Sequence, residues 1–168
     1  VRILGVDPGS RRTGWGVVEK RAGRLIGVAA NVIVLDERAD IAERLGSLAT
    51  QLADVIAEFK PNEAAVEDVF QAKFARSALV LGQARGVVLA TAANAGLKVH
   101  AYPPTVVKRA IAGSGRSEKD QVARLVGAIL GLTKLPAVDA TDALAVAIAH
   151  AQRAGAGPAA RSAAPRKR

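Results

Sequence analysis

Apolar positions in the first part of the chain fall into short runs separated by turn residues. Ile3, Leu4 and Val6 form a run of the kind used by a buried strand, closed at once by Asp7, Pro8 and Gly9. Pro8 cannot donate to a ladder, so Asp7 is expected at a strand end, where sheet gives way to loop. Trp15 to Glu19 and Leu25 to Val34 read as two further strands joined by a turn over Arg21 to Arg24, which together make an antiparallel meander. From Ile41 the period lengthens. Ile41, Leu45, Leu48, Leu52, Val55, Ile56 and Phe59 recur at intervals of three and four, the mark of an amphipathic helix, and Pro61 and Asn62 end it.

Ala64 to Glu67 is a short apolar run that closes on an acid. A helix is expected from about Arg76 to Ala95, with Gly82 and Gly86 leaving one face bare for close packing. Lys98 to Tyr102 reads as a fifth strand, stopped by Pro103 and Pro104, and Thr105 to Ala112 as a short helix. After the loop Gly113 to Arg116, Ser117 with Asp120 three residues on reads as a capping box that opens a helix to about Leu130. A last helix covers about Ala140 to Arg153. The order predicts an α/β fold, a mixed five-stranded sheet flanked by helices, over residues 1–153. Residues 154–168 are basic, low in complexity and almost without large apolar side chains, so disorder is expected there.

Composition adds the partner class. The chain has 168 residues, 50% of them hydrophobic, enough for one sizeable core. The net charge is +9, and without residues 154–168 the body still carries 20 basic and 15 acidic residues, a net +5. A basic body points to a polyanion, most simply nucleic acid. The absence of cysteine excludes disulfides and thiolate metal sites. No apolar run reaches the ~18 residues of a membrane span, and a cytoplasmic location is expected.

Three acidic settings carry candidate chemistry. Asp7 and Glu67 each close an apolar strand, while Asp139 and Asp142, three apart, lie on one face of the last helix near its start. Helix capping accounts for Asp139 without any chemistry, but ending a strand requires no acid, so Glu67 is not explained that way. If the four meet, their repulsion calls for cations. An all-oxygen set suits Mg²⁺ or Mn²⁺, and two such ions activate water and stabilise the leaving oxygen of a phosphodiester.

The motifs GVDPGS, TGWGVV, VEDVF, SALVLGQARG, the Val107–Lys108 pair, GSGRSEKDQV and DATDALAVAIAH occur in this order. In them the chain resembles the RuvC family of Holliday-junction resolvases over about residues 1–153. The resemblance implies an RNase H-like fold and a homodimer that makes paired symmetric nicks in four-way DNA junctions, in recombination and repair. It further implies metal-activated water that leaves 5′-phosphate and 3′-hydroxyl ends. Asp7, Glu67, Asp139 and Asp142 would hold Mg²⁺ (Mn²⁺ also being accepted), two ions per subunit, and a branch-migration motor would be a partner. Thr141 stands where alanine is more usual in the family, and Asp68 where a neutral or basic residue is. As alternate strand positions face opposite sides, Asp68 can point away from the site.

The resemblance places Lys108 and Lys119 beside the scissile phosphate, where a fixed ammonium offsets developing charge. Phe70 would stack on an unpaired base at the junction centre. Lys73, Phe74, Arg76, Arg85, Arg109, Arg116 and Arg124 complete the expected DNA surface. The arginines would hold the backbone without reading sequence, and Phe74 equally suits packing within its own loop. His150 lies eight residues past Asp142, about 12 Å further along a continuous helix; it is assigned to packing or a supporting role, and His100 is given none. Trp15 and Tyr102 are assigned to the core.

Competing readings fit less of the chain. The opening turn also resembles the phosphate loop of actin-like kinases and ATPases, which need a second such domain. A non-catalytic junction or RNA binder leaves Glu67 unexplained. An RNase H-like nuclease of RNA processing does not account for SALVLGQARG.

Overall fold

The computed structural model describes residues 1–68 and 75–155. Five strands, β1 (Arg2–Asp7), β2 (Arg12–Arg21), β3 (Arg24–Val34), β4 (Glu63–Glu67) and β5 (Lys98–Tyr102), form one sheet in the order β3-β2-β1-β4-β5. β1, β2 and β3 pair antiparallel, whereas β4 and β5 add in parallel on the other side of β1. The helices are α1 (Ile41–Phe59), α2 (Ala75–Asn94), α3 (Pro104–Ala112), α4 (Lys119–Leu130) and α5 (Val138–Gly155). No helix among the described residues is long and apolar enough to cross a membrane.

Strand alternation divides the apolar residues between two cores. Leu4, Val6, Ala64 and Val66 pack with Leu48, Leu52, Val55 and Ile56 of α1 and Ala84, Val88 and Ala92 of α2. Ile3 and Ala65 face the other way, into a core shared by α3, α4 and α5. Trp15 is buried in the first core; Tyr102 is only partly buried, at the margin of the second.

The expected elements are all present, with shifted ends. β2 begins at Arg12 because Arg12 and Thr13 pair with Val34 and Ile33; the polar side chains there hid three strand residues. The β2–β3 turn is a two-residue hairpin loop in which Ala22 and Gly23 both have positive φ. Asp40 caps α1 by accepting from the Glu43 N–H at 2.9 Å, and Lys60 turns left-handed to end it before Pro61. α5 starts two residues early, so Asp139 lies within its first turn. The capping box at Ser117 is not formed. Glu118 occupies the cap position of α4 without a side-chain bond, and the Ser117 hydroxyl instead donates to the Ser114 carbonyl, 3.1 Å away.

The close approach expected at Gly82 and Gly86 occurs elsewhere. A Cβ on either would meet nothing within 4 Å, whereas a Cβ on Gly5 would stand 2.0 Å from the Ala143 carbonyl oxygen and one on Gly14 1.9 Å from that of Asp139. A Cβ on Gly16 would strike the Leu144 side chain at 2.6 Å. Gly5 and Gly16 are cross-strand partners. The bare backbone of β1 and β2 therefore seats α5 directly on the sheet. Along α5, Ala140, Ala143, Ala145, Ala147, Ala149 and Ala151 are all buried, keeping the helix narrow enough to sit there.

Gly14→Ala is expected to destabilise the protein by about 2–3 kcal/mol, since backbone on both sides must move. Gly46→Ala, in open space on α1, should stabilise by about 0.5–1 kcal/mol through helix propensity. Denaturant midpoints of the two variants test the difference, and equal effects would contradict the seating.

Candidate active site

β1 and β4 run parallel with Val6 beside Val66, so the next residue of each, Asp7 and Glu67, emerges side by side at the strand ends. Both follow the alternation that turns Ile3 and Ala65 toward α5. α5 brings Asp142 over them. Asp7, Glu67 and Asp142 line a cavity of about 320 Å³ together with Lys108 of α3 and Lys119 of α4.

Burial is what makes this cavity unusual. The Asp7 carboxyl is pushed up from 3.8 to about 8, first by burial and then by the charge of Glu67, a hydrogen bond shared with it, and the charges of Asp142 and Asp139. Glu67 is also raised, mainly by burial, although the Asp7 hydrogen bond and the charges of Lys119 and Lys108 oppose this. Burial and mutual repulsion thus favour keeping a proton on the Asp7–Glu67 pair.

The two helical acids are held by cations. Lys119 Nζ lies 2.8 Å from Asp142 Oδ2, which raises the lysine pKa. Arg12 Nε lies 2.8 Å from Asp139 Oδ2, and Asp139 does not line the cavity. Of the four expected acids, two touch, a third faces them and the fourth sits close by, turned toward Arg12. No signal in the sequence distinguished Arg12 from Arg11 beside it; only the position of α5 reveals its partner.

The surrounding turn is tightly tied. Gly9 N–H donates to Thr13 Oγ1 at 3.2 Å and the same hydroxyl donates to the Gly9 carbonyl at 3.1 Å, fixing the loop after Asp7. A guanidinium N–H of Arg44 donates to the Ser10 carbonyl. Thr141 is buried, and its hydroxyl lies 3.2 and 3.1 Å from the Pro136 and Ala137 carbonyls, fastening the start of α5. Asp68 points to the opposite side of the sheet, where it pairs with Arg85 of α2 at 3.0 Å. Arg85 is accordingly half-buried and already partnered. Arg109 and Arg116 border a second, more open cavity of about 500 Å³ with Thr105, Ser114 and two glycines. Arg76 and Arg124 are exposed, while Phe70, Lys73 and Phe74 lie outside the described residues.

His150 takes the buried, supporting place expected of it and, with His100, gathers around Glu63 at the far end of the same sheet face. The gathering follows from strand pairing, since Ala65 lies beside His100 and Glu63 is two residues along on the same side.

The donor set fits hard divalent ions. Three carboxylates on the cavity wall, with Asp139 close by and no imidazole or thiolate among them, are the kind of ligands that Mg²⁺ and Mn²⁺ take. Burial first, and crowding with the other acids after it, raises both Asp7 and Glu67, while the charges of Lys108 and Lys119 oppose the rise at Glu67.

A family model described as Crossover junction endodeoxyribonuclease RuvC matches residues 3–150. The protein of that name from Citrifermentans bemidjiense is 50% identical over 153 residues, which cover 91% of this chain and 93% of the relative. Among solved structures, Thermus thermophilus RuvC superposes with a TM-score of 0.83 at 36% identity, covering 92% of this chain and 95% of that one. T. thermophilus RuvC in complex with a Holliday junction substrate gives 0.86 at 37% identity, covering 91% and 94%.

The raised Asp7 pKa sets a direction for stability. A carboxyl that binds its proton more tightly when folded contributes stability that is complete below about pH 4 and is lost as pH rises toward about 8. In EDTA, Asp7→Asn should therefore be more stable than the parent at pH 8 by about 1–2 kcal/mol, with the gap closing at pH 5. Chemical denaturation at the two pH values measures it, and a gap independent of pH would refute the electrostatic account.

Proposed function

The chain belongs to the RuvC family of crossover junction endodeoxyribonucleases, and from that premise we propose that it resolves four-way DNA junctions at the cavity lined by Asp7, Glu67 and Asp142. The observation that carries this reading is the meeting of two strand-end carboxyls and a helical one in a single buried pocket, with lysines from two further helices at its wall.

Asp7, Glu67, Asp142 and Asp139 would hold Mg²⁺ or Mn²⁺, with room in the donor set for two ions. When bound, such ions polarise a phosphodiester, activate water and stabilise the leaving oxygen, so that cleavage leaves a 5′-phosphate and a 3′-hydroxyl. The protein's own part begins with charge. Asp7 and Glu67, paired by a hydrogen bond at the strand ends, would both serve as carboxylate ligands to such ions. Lys119 is the more exposed of the cavity's two lysines, its side chain 69% exposed and paired with Asp142. Released from Asp142, its ammonium can reach a phosphate oxygen at the cavity mouth, while Lys108 stands in the wall. Two cations placed before the substrate arrives stabilise charge developing on the phosphate without reorganisation.

Around the pocket, Arg109 and Arg116 with the Gly113–Gly115 loop provide a groove for the adjoining backbone phosphates. Arg76 and Arg124 are exposed and belong to the same proposal as backbone contacts, as do Phe70 and Lys73 through the family motif. Arg85 contributes less than expected, being engaged with Asp68. Paired cuts on opposing strands require two cavities, so the acting species is a homodimer. α2 supports this, since Leu79 is 64% exposed and the Gly82–Gly86 face is open.

Glu67→Gln is expected to lower junction cleavage at least about 10³-fold, some 4 kcal/mol of barrier, while leaving junction binding intact. Cleavage of a synthetic four-way junction in Mg²⁺ and in EDTA, with binding followed in parallel, provides the test. Tight binding with no nicking by the parent protein in Mg²⁺ or Mn²⁺ would instead identify a junction-binding protein.

A further inference from the structure

A second constellation of ligating side chains lies away from the carboxylate cavity. Glu63 opens β4, His100 sits at the centre of β5 and His150 near the end of α5, so three separate elements contribute one side chain each. Glu63 Oε2 lies 2.9 Å from His150 Nε2 and 3.0 Å from His100 Nε2, and the two rings stand 4.5 Å apart between centroids. Among the described residues this is the one group of three or more such side chains whose donor atoms all lie within 4.8 Å of one another. Four residues of β4 separate Glu63 from Glu67, about 13 Å, and eight residues of α5 separate His150 from Asp142, about 12 Å. The two independent paths agree that the sites occupy opposite ends of one sheet–helix interface.

Hydrogen bonding does not account for the arrangement. His150 is satisfied on both sides, by Glu63 at Nε2 and by the Tyr102 hydroxyl 2.7 Å from Nδ1. His100 Nε2 is different. Its atom is buried and stands 3.0 Å from the carboxylate that already bonds His150, without a well-aligned hydrogen bond of its own. A buried ring nitrogen beside a carboxylate oxygen, and unsatisfied by it, is placed as a ligand is placed.

We propose that Glu63, His100 and His150 form a second cation site, specific for Zn²⁺ or a similar imidazole-preferring transition ion, that fastens α5 to β4 and β5. Two imidazoles and a carboxylate are the donors such ions favour over Mg²⁺. Around a tetrahedral ion at ~2.0–2.1 Å the donor atoms would stand ~3.3 Å apart. The two separations from Glu63 need open by only a few tenths of an ångström, and the side chain of Glu63 is 34% exposed. That same exposure, with 28% at His100, leaves a path for the ion and a fourth position for water. Tyr102 suits either state. A hydroxyl that donates to Nδ1 without metal can accept from Nδ1–H once Nε2 ligates, which holds the ring in place.

The test uses the full chain, stripped of metal and titrated with Zn²⁺ against a chromophoric chelator, with Mg²⁺ in excess to occupy the carboxylates. One Zn²⁺ per chain is expected in the parent and in Asp7→Asn, with a rise in Tm on binding. His100→Gln, a change at a partly exposed ring, should weaken uptake at least about 100-fold while circular dichroism shows the fold retained. Glu63→Gln provides a second variant at an exposed position, with the same weakening expected. Absence of stoichiometric Zn²⁺ binding in the parent would overturn the proposal. So would unchanged affinity in both variants, or loss of binding in Asp7→Asn with retention in His100→Gln.

Discussion

The contact between α5 and the bare backbone of β1 and β2 is the constraint on which the rest depends. Gly5, Gly14 and Gly16 let helix backbone and the Leu144 side chain approach where any Cβ would intrude. That approach sets the height of Asp142 above the strand ends that carry Asp7 and Glu67. Side-chain packing alone would hold a helix off a sheet at a distance set by whatever residues intervened. Here there is little between the two layers, and the carboxylates inherit backbone precision.

That precision is used against electrostatics. The fold brings Asp7 and Glu67 into contact under burial that favours neither as an anion, and then adds Asp142 above them. Arg12 and Lys119 hold the two helical acids from the outside, on exposed side chains that can let go. The pocket is therefore assembled from acids that burial and crowding both disfavour as anions, a local cost that the rest of the fold carries.

Much of this was legible from residue order. Strand-end acids announce themselves because Pro8 and Gly9 stop one apolar run and Glu67 closes another, and helix periods placed α1 almost to the residue. What escaped notice depends on pairs distant in sequence. Glycines were read for their spacing within α2, where Gly82 and Gly86 lie open, while those that matter are spread over β1 and β2 and face a helix some 130 residues later. Arg12 was indistinguishable from its neighbours until α5 supplied Asp139. Ser117 had the local pattern of a cap, but its hydroxyl found the Ser114 carbonyl instead. The histidines were judged by distance along one helix, and only the register of β4 against β5 shows that Glu63 joins them.

α5 is also enclosed on nearly every side, with Ala140, Thr141 and the whole of Ala143 to Ala151 buried between the sheet and the other helices. Through this stretch the helix cannot lift without opening both the sheet contact and the packing of α3 and α4. Opening there is then the same event as global unfolding. Asp142, which projects from the buried stretch, consequently cannot be withdrawn by a partial fluctuation. Adjustments around a substrate fall to the side chains at the rim and to the exposed first turn that carries Asp139.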